Sequence, residues 1–380
     1  MPVKFAIVAG MICFLLLSFY LSHSSVKEYR NKVISMDAIR KGINISEELE
    51  EILYYGTLAP SSHNAQMWKI RIISPDTIEL LLDKERTLSE VDPDNREAMI
   101  SLGAFLENIS QAARIHGSNA EISLLVERPF DERIARIHFE KTTALSQEEK
   151  EMLRRNLSLR DTVRSPFKKE PLRDEHVSSL IEQIPGKAHY YPIDSREGEY
   201  LKQGLIASNE RQAKRDDAQK ELSRWFRFSD EDARKTGDGI TPEMMGLKGI
   251  SRWFVSHFFT TETVMKDSFR KQTVSTVRKQ VENCSGYLIL TSQGNDPFSL
   301  INQGMELERI WLHATGMGVA IHPISQMIEE DPWKSELKEK LELNSFPQMM
   351  LRVGYIDRSP DPVSRRRPVS AIIDVQVKGN

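Results

Sequence analysis

Apolar residues in the first part of the chain recur at the spacing of helices and short strands. The apolar positions of residues 46–58 follow a helical period and stop before Pro60, because a proline disfavours the helical conformation in the residue before it. Residues 98–116 carry a second helical apolar face that ends at Gly117, a residue type common just after helices. This pattern predicts an α+β unit. Apolar stretches bounded by turn residues predict strands over 68–73, 77–82, 121–126 and 134–139.

The second part of the chain repeats this alternation of helices and strands. Ser146 and Glu149 have the spacing of a capping box and mark the predicted start of a helix. Helical patterns then continue to about residue 280. Beyond them the sequence predicts a strand over 287–291, a helix over 299–316 and a strand over 350–355.

Two of the predicted helices are related in sequence without a gap, because residues 101–117 align with residues 302–318. Chance similarity between amphipathic helices would match the apolar positions alone. Here glycine and charged positions agree as well; the coinciding pairs are Gly103/Gly304, Leu106/Leu307, Glu107/Glu308, Ile109/Ile310, Ala113/Ala314 and Gly117/Gly318. We therefore expect two related halves, residues 25–145 and 146–380, that pack about a pseudo-twofold axis as an intrachain pseudo-dimer with glycines at the helix contact.

The N-terminus begins with an uncharged apolar run over residues 5–21, preceded by Lys4. Its 17 residues are at the short end of the range for a bilayer-spanning helix, and no Ala-x-Ala-like cleavage site follows. We expect residues 1–24 to be an uncleaved membrane anchor, with a removed signal peptide and a buried core helix as the alternatives. The protein would then be membrane-tethered or exported, and the flanking basic residues do not decide the side of the membrane.

Composition and charge narrow the class of protein. The 380 residues are 39% hydrophobic and 28% charged with a net charge of -3, which predicts a globular chain and excludes the broad basic field that binds nucleic acid. Cys13 and Cys284 provide neither a disulfide framework nor a cysteine metal site. The sequence contains no glycine-rich dinucleotide loop, P-loop, nucleophile elbow or His-Glu zinc motif, and its histidines have no metal-ligand spacing.

The segment most indicative of chemistry is APSSHNAQMW over residues 59–68, between a predicted helix and a predicted strand. Pro60 precedes two serines, and Asn64 and Gln66 follow, so that neutral donors and acceptors lie close together. Such groups suit the polar edge of a planar ring better than a phosphate or a metal. Taken alone, the segment has a solvated surface turn, with His63 in water, as its alternative.

This segment resembles the APSxxNxQPW loop of the FMN-dependent nitroreductase superfamily, and specifically of its Acg-like flavoprotein branch. Segments similar to the same branch follow in order over residues 80–117, 224–246 and 304–326, and the resemblance covers roughly residues 45–375. It implies a nitroreductase-like fold, FMN as the cofactor and NAD(P)H as the reductant. The superfamily binds its flavin at a subunit interface, which here would lie within one chain.

The resemblance also implies which residues contact FMN. The groups expected around the ring are Pro60, Ser61, Ser62, Asn64, Gln66, Asn209, Ser325 and Gln326, the last two through their main chain. The groups expected around the phosphate, from an RxSxRxF-like motif and a C-terminal basic arm, are Arg160, Thr162, Arg164 and Arg366. Guanidinium groups bind phosphate oxygens in a bidentate fork. The phosphate motif occurs in the second half and the ring loop in the first, so one FMN per chain is implied.

Two features depart from the superfamily pattern. Met67 stands where the superfamily has a proline, so the loop is expected to be less rigid. Residues 200–280 add aromatic-rich helical sequence, which is expected to cover the flavin as a lid, with ordinary core packing as the alternative.

The expected function is an FMN-binding oxidoreductase in which NAD(P)H reduces the flavin and an electron-poor small molecule, such as a nitro compound or a quinone, accepts the electrons. No protein side chain is expected to be a catalytic residue, because the flavin carries the chemistry. A flavin-storage protein with little turnover and a membrane-tethered interaction protein without flavin are the alternatives. The intrachain pseudo-dimer predicts a monomer.

Overall fold

The computed structural model describes residues 43–357 and 362–374. The predicted anchor over residues 5–21 lies outside these residues, and no helix within them has the length and apolar character needed to cross a bilayer. The helices are α1 (Glu47–Thr57), α2 (Arg96–Ile115), α3 (Gln147–Leu159), α4 (Asp174–Ile181), α5 (Arg196–Lys214), α6 (Asp216–Trp225), α7 (Asp230–Thr236), α8 (Gly249–Phe258), α9 (Thr261–Val264), α10 (Asp267–Val281), α11 (Pro297–Met317), α12 (Gln326–Glu329), α13 (Trp333–Lys340) and α14 (Val369–Ile372). The strands are β1 (Trp68–Ser74), β2 (Thr77–Leu82), β3 (Ser118–Leu124), β4 (Arg133–Lys141), β5 (Ala188–Pro192), β6 (Gly286–Ser292), β7 (Ala320–Pro323) and β8 (Phe346–Gly354).

The first four strands form one antiparallel sheet in the order β1-β2-β4-β3. All four strands predicted in this part of the chain are present, although β3 begins earlier than predicted, at Ser118. Leu53 of α1 and Phe105 of α2 share a fully buried core with Ile70 and Leu80 of the sheet. The loop between α1 and β1 therefore joins two elements that are fixed by packing.

The other four strands form a second antiparallel sheet in the order β5-β6-β8-β7. β6 and β8 confirm the strands predicted over 287–291 and 350–355. The sequence did not predict β5 and β7, which are short edge strands that each end in a proline. An edge strand tolerates proline because the missing N–H faces away from the ladder. The α+β prediction is confirmed.

The two helices of the internal repeat, α2 and α11, pack directly on one another. A Cβ atom added to Gly103 of α2 would overlap the carbonyl oxygen of Ile301 and lie 2.9 Å from the Cα of Gly304. A Cβ atom on Gly304 would overlap the carbonyl oxygen of Ile100. The prediction that glycines lie at the contact between these helices is confirmed, because only glycine allows the backbones to approach so closely.

Helices α5 to α10 form the helical insertion, residues 200–280, and its aromatic side chains fall into two groups. Phe226, Phe228 and Phe269 are buried in a small core of their own. Phe254 and Phe258 are 50% and 59% exposed. The buried group is ordinary core packing, as the alternative predicted. Phe226 also forms a β-bridge with Ile240, which positions residues 237–239 against the first half.

Candidate functional site

The loop that follows α1 has an unusual backbone conformation. His63 and Asn64 have φ of 53°, and Gln66 has φ of 56°, values in the left-handed region that non-glycine residues adopt at an energetic cost. A hydrogen bond from the Gln66 N–H to Ser61 Oγ, at 3.0 Å, offsets part of this cost. The loop was expected to be less rigid because Met67 replaces the proline of the superfamily pattern. The hydrogen bond of the neighbouring Gln66 N–H holds the loop at this position.

Two side chains of the loop tie it to distant parts of the chain. Asn64 Nδ2 donates to the carbonyl oxygens of Gly239, at 3.0 Å, and of Arg365, at 3.1 Å. Gln66 Nε2 donates to the carbonyl oxygen of Gly237 at 2.9 Å, and Gln66 Oε1 accepts from the Arg367 N–H at 2.8 Å. The helical insertion and the C-terminal arm are therefore both fastened to the loop.

A cavity of about 220 Å³ lies between the loop, α2, α11 and the segment from β7 to α12. Its apolar walls include Ile100, Leu307, Trp311 and Met349. Seven of the residues predicted for the site line this cavity: Pro60, Ser61, Ser62, Thr162, Arg164, Ser325 and Gln326. Residues from both halves of the chain therefore meet around one space.

A second, smaller cavity of about 30 Å³ shares the walls formed by Pro60, Ser61, Thr162 and Arg164. Three more predicted residues line it: Asn64, Arg160 and Arg366. The ring-facing and phosphate-facing groups expected from the sequence thus lie in two adjoining spaces. Gln66 and Asn209 line neither.

Arg164 is the cation most available to a ligand. Its Nη1 donates to the carbonyl oxygen of Met244 at 3.1 Å, and no carboxylate of the described residues forms a salt bridge with it. Burial lowers the pKa of the Arg164 guanidinium, and nearby Asp161 opposes this shift. A guanidinium remains charged under these conditions, so an anion placed here would gain a charge-assisted hydrogen bond.

Arg160 is held more tightly by the protein than its motif predicts. Its Nε lies 3.1 Å from Oε1 of buried Glu308, it donates to the carbonyl oxygen of Leu58, and its guanidinium lies 5.0 Å from the ring centroid of Trp311. Burial raises the pKa of Glu308 to about 7, with Arg160 opposing the shift. Arg160 therefore has a structural salt bridge in addition to its place at the smaller cavity.

Arg366 lies deep in the protein beside the loop. Its Nη1 donates to Asn64 Oδ1 and its Nη2 to the carbonyl oxygen of Leu58, both at 3.0 Å. The neighbouring arginine, Arg367, donates to the carbonyl oxygen of Gln66 at 3.2 Å. These arginines are buried, and the C-terminal arm that carries them is part of the site.

Several cavity residues were not predicted from the sequence. His63, which the surface-turn alternative placed in water, lines the cavity, and burial lowers its pKa to about 4, with Glu97 opposing the shift. Glu97, Gln212 and Glu329 also line it. They come from three helices, α2, α5 and α12, and no local sequence spacing links them.

Asn209 and Gln66 were expected to contact the ring, and they line neither of the two cavities. Asn209 is buried on α5, and Gln212, about one helical turn further on, lines the cavity in its place. Gln66 is fully buried and acts on the loop through the hydrogen bonds described above. Its side chain is bonded to Gly237 of the insertion and to Arg367 of the C-terminal arm.

No protein-family model matches the chain. A Mycobacterium tuberculosis protein provisionally named NAD(P)H nitroreductase acg is 26% identical over 326 residues, covering 84% of this chain and 93% of the relative. A Serratia sp. protein named "Probable NAD(P)H nitroreductase PigM" is 21% identical over 330 residues, covering 84% of this chain and 91% of the relative. Among solved structures, the FMN-dependent nitroreductase NfnB from Mycobacterium smegmatis in complex with NADPH is 12% identical, with a TM-score of 0.35, and covers 55% of this chain and 93% of that chain.

The fold and the site define a mixed α+β protein with two four-stranded sheets, two long helices packed on one another and two adjoining cavities. The relatives named above match it over almost their whole length. They confirm the resemblance, seen in the sequence, to the nitroreductase superfamily and its Acg-like branch.

Proposed function

We propose that this protein binds FMN and uses NAD(P)H to reduce an electron-poor acceptor such as a nitro compound or a quinone. The observation that carries the proposal is the meeting of Pro60, Ser61 and Ser62 from one half with Thr162 and Arg164 from the other around adjoining cavities. The larger cavity has the walls expected for a flavin ring, and the smaller one has the cations expected for its phosphate.

The polar groups of the cavity fit such a ligand. His63 Nδ1 and Gln326 Oε1 are buried and have no hydrogen-bond partner in the described part of the chain, although buried polar groups usually have one. The N–H groups of Ser325 and Gln326 lie at the start of α12, where a helix provides no acceptor for them. A ring with polar edges would satisfy these groups, while Leu307 and Trp311 pack on its apolar faces.

FMN, when bound, supplies the hydride transfer chemistry, and the protein supplies binding and orientation. Arg164 and Thr162 would hold the phosphate. The loop residues Ser61 and Ser62 and the main chain of Ser325 would hold the ring edge. Because the cofactor is the reactive group, the site requires no nucleophile or catalytic triad.

We infer that the two sheets belong to two related halves, residues 25–145 and 146–380, which together act as a fused dimer with one FMN site. Each sheet has four antiparallel strands, and the equivalent glycines Gly103 and Gly304 lie at the helix contact. We expect a monomer in solution with one FMN per chain. Size-exclusion chromatography with light scattering and the ratio of flavin to protein absorbance test both expectations.

The first experiment replaces Arg164 with alanine. We expect Arg164→Ala to weaken FMN binding about 10- to 100-fold, because hydrogen bonds to charged groups contribute about 1.5–3 kcal/mol. Fluorescence titration of FMN into the apoprotein measures the dissociation constant. Arg128→Ala is the matched control, since the Arg128 side chain is 82% exposed and lines neither cavity. Equal affinity of Arg164→Ala and wild-type protein would refute the phosphate assignment.

One observation favours flavin storage as a second candidate function. Residues 237–239 of the insertion are fastened to the loop by the hydrogen bonds to Asn64 and Gln66, and Asp238 forms a 2.7 Å salt bridge with Arg86. These contacts hold the insertion against the loop that lines the cavity, and an insertion fixed there would limit access to the flavin. Bleaching of the flavin spectrum separates the candidates: rapid reduction by NAD(P)H supports the enzyme, and reduction by dithionite alone supports storage.

We also propose that the apolar run over residues 5–21 tethers the protein to a membrane or directs its export. Its 17 uncharged residues after Lys4 support this proposal. Cell fractionation of the full chain, compared with a chain starting at residue 25, measures the fraction that remains with the membrane.

A further inference from the structure

Two carboxyl groups lie together on the wall of the larger cavity, Glu97 from α2 and Glu329 from α12. Ser62 Oγ donates to Glu97 Oε2 at 2.5 Å, and Arg96 Nη2 donates to Glu97 Oε1 at 2.9 Å. Gln212 Nε2 donates to Glu329 Oε2 at 2.6 Å. The two carboxyl groups also influence one another, because the negative charge of Glu97 is one cause of the raised pKa of Glu329.

Two carboxyl groups buried on the same cavity wall repel one another when both are charged, and this repulsion favours a proton on one of them. Glu97 has a cation and a hydroxyl donor, which stabilise a carboxylate. Burial raises the pKa of Glu97, but Arg96, Ser62 and Glu329 outweigh it and the pKa is lowered. Burial and the negative charge of Glu97 both raise the pKa of Glu329 well above its usual value. The proton therefore belongs to Glu329.

The charged groups around this pair come from every neighbouring element. Arg96 lies beside Glu97, and Asp92, before α2, has a pKa raised to about 6 by burial and by Glu97. His63 and Arg164 line the same cavity. Arg215 and Arg211 pair with the next acidic residue, Glu330, at 2.7 and 3.5 Å.

We propose that Glu329 is the proton donor of the cavity and that Glu97 is the positioning residue that keeps the proton on it. The proposal rests on the proposed oxidoreductase function and names the groups that complete its acceptor step. The other polar groups of the cavity wall are less suited to this role. His63 is neutral near pH 7 because burial lowers its pKa to about 4, and the Ser62 hydroxyl is already donated to Glu97.

Reduction of the acceptor uses the two electrons that NAD(P)H supplies. The acceptor gains a hydride at one atom, and its oxygen develops a negative charge. The O–H bond of Glu329 breaks as a new O–H bond forms on the acceptor, so a quinone gains two electrons and two hydrogens and leaves as a hydroquinone. Glu97 and Glu329 are then both carboxylates, and their repulsion favours uptake of a proton from solvent. The acceptor class is therefore a neutral molecule with a carbonyl or nitro oxygen, since an anionic group would be repelled by Glu97.

The test uses Glu329→Gln, which keeps the shape of the protonated side chain, with Glu97→Gln and a control, Glu199→Gln, at a side chain that is 54% exposed. Infrared spectra near pH 7 should contain the carbonyl stretch of protonated carboxylic acids. Glu329→Gln should remove the contribution of one group and leave that of Glu308, whose pKa is about 7. Glu97→Gln should weaken the band, because the charge that retains the proton is gone. Persistence of the full band in Glu329→Gln overturns the proposal.

Thermal denaturation gives a second readout that does not depend on turnover. A raised carboxyl pKa means that the native state binds more protons than the unfolded state, so stability falls as pH rises above about 4.5. Glu329→Gln removes this group, and its melting temperature relative to wild type should increase between about pH 5 and pH 8. A difference that does not change with pH contradicts the assignment of the proton to Glu329.

Stopped-flow kinetics shows whether Glu329→Gln slows the reduction of the flavin or its oxidation by the acceptor. Glu329→Gln should slow oxidation of the reduced flavin by a quinone about 10²- to 10⁴-fold, the usual range for a lost general acid, while reduction by NAD(P)H remains within about twofold. An unchanged oxidation rate overturns the proton-donor role. If wild-type flavin is not reduced by NAD(P)H at all, the proposed function fails, and the infrared and melting results still decide where the proton lies.

Discussion

At the scale of single residues, the motif that contains Arg160 and Arg164 predicts which side chains lie at the site but not all of their partners. The spacing of Arg160, Thr162 and Arg164 predicts cations flanking a hydroxyl, and all three line the adjoining cavities. The motif does not reveal the salt bridge between Arg160 and Glu308, because the partner is distant in the chain. It also does not reveal that His63 has a left-handed conformation and lines the cavity, since the motif carries no information about the backbone angles of the loop.

The salt bridge of Arg160 leads to a prediction about stability. Glu308→Ala leaves a buried guanidinium without its carboxylate, and breaking such a pair costs about 3–5 kcal/mol. We expect the free energy of unfolding to fall by this amount in urea denaturation. Glu336→Ala, at an exposed position on α13, should change it by less than about 0.5 kcal/mol. Similar losses in both variants would mean that the Arg160 pair does not stabilise the fold.

At the scale of secondary-structure elements, long periodic sequence patterns predicted helices correctly, whereas short segments did not reveal the edge strands. The repeat helices α2 and α11 were predicted from matched glycines and apolar residues, and their contact is confirmed. The strands β5 and β7 were missed because five and four residues at the edge of a sheet leave little periodicity to read. The cavity acids on α2 and α12 were missed for a related reason, since only the packing of the helices brings Glu97 and Glu329 together.

The glycine contact gives a prediction at this scale. Gly103→Ala places a Cβ atom against the backbone of α11, which cannot move as a flexible side chain can, so we expect a loss of about 1–3 kcal/mol or more. Gly316→Ala, in α11 itself, is the matched control because its added Cβ meets only the side chain of Asn156. Removing a helical glycine there should stabilise the protein by up to about 1 kcal/mol. Calorimetry of both variants measures the difference, and a neutral Gly103→Ala would contradict the close packing.

At the scale of the whole molecule, the site depends on segments from almost the entire described chain. Pro60 to Asn64, Arg160 to Arg164, the insertion residues 237–239 and the C-terminal arginines all contribute. The sequence predicted that the two halves would share one site, because each carries a motif that the other lacks. It predicted that the insertion would cover the flavin, but it did not predict the salt bridges of Asp238 with Arg86 and Arg227.

The salt bridges that attach the insertion to the first half lead to a prediction about how fast a bound flavin leaves. Asp238 is buried between Arg86, at 2.7 Å, and Arg227, at 2.8 Å. Asp238→Asn removes the charge that holds both guanidinium groups, so we expect the FMN dissociation rate to rise about tenfold, equivalent to about 1.4 kcal/mol. Flavin fluorescence after dilution measures this rate. Asp232→Asn, in the exposed first turn of α7, should leave the FMN dissociation rate unchanged. An equal rise in both variants would mean that the salt bridges of Asp238 do not retain the flavin.

The amide of Asn64 has a further consequence for the order of events during synthesis. It is bonded both to Gly239 and to Arg365, so the loop reaches its final environment only after the ribosome has made nearly all of the chain. Contacts between such distant segments form late, because their loop-closure entropy is large. A nascent chain, or one that lacks its C-terminal arm, therefore has an incomplete cavity. We expect such a chain to bind a ligand only after its C-terminal arm has been synthesised and has packed on the loop.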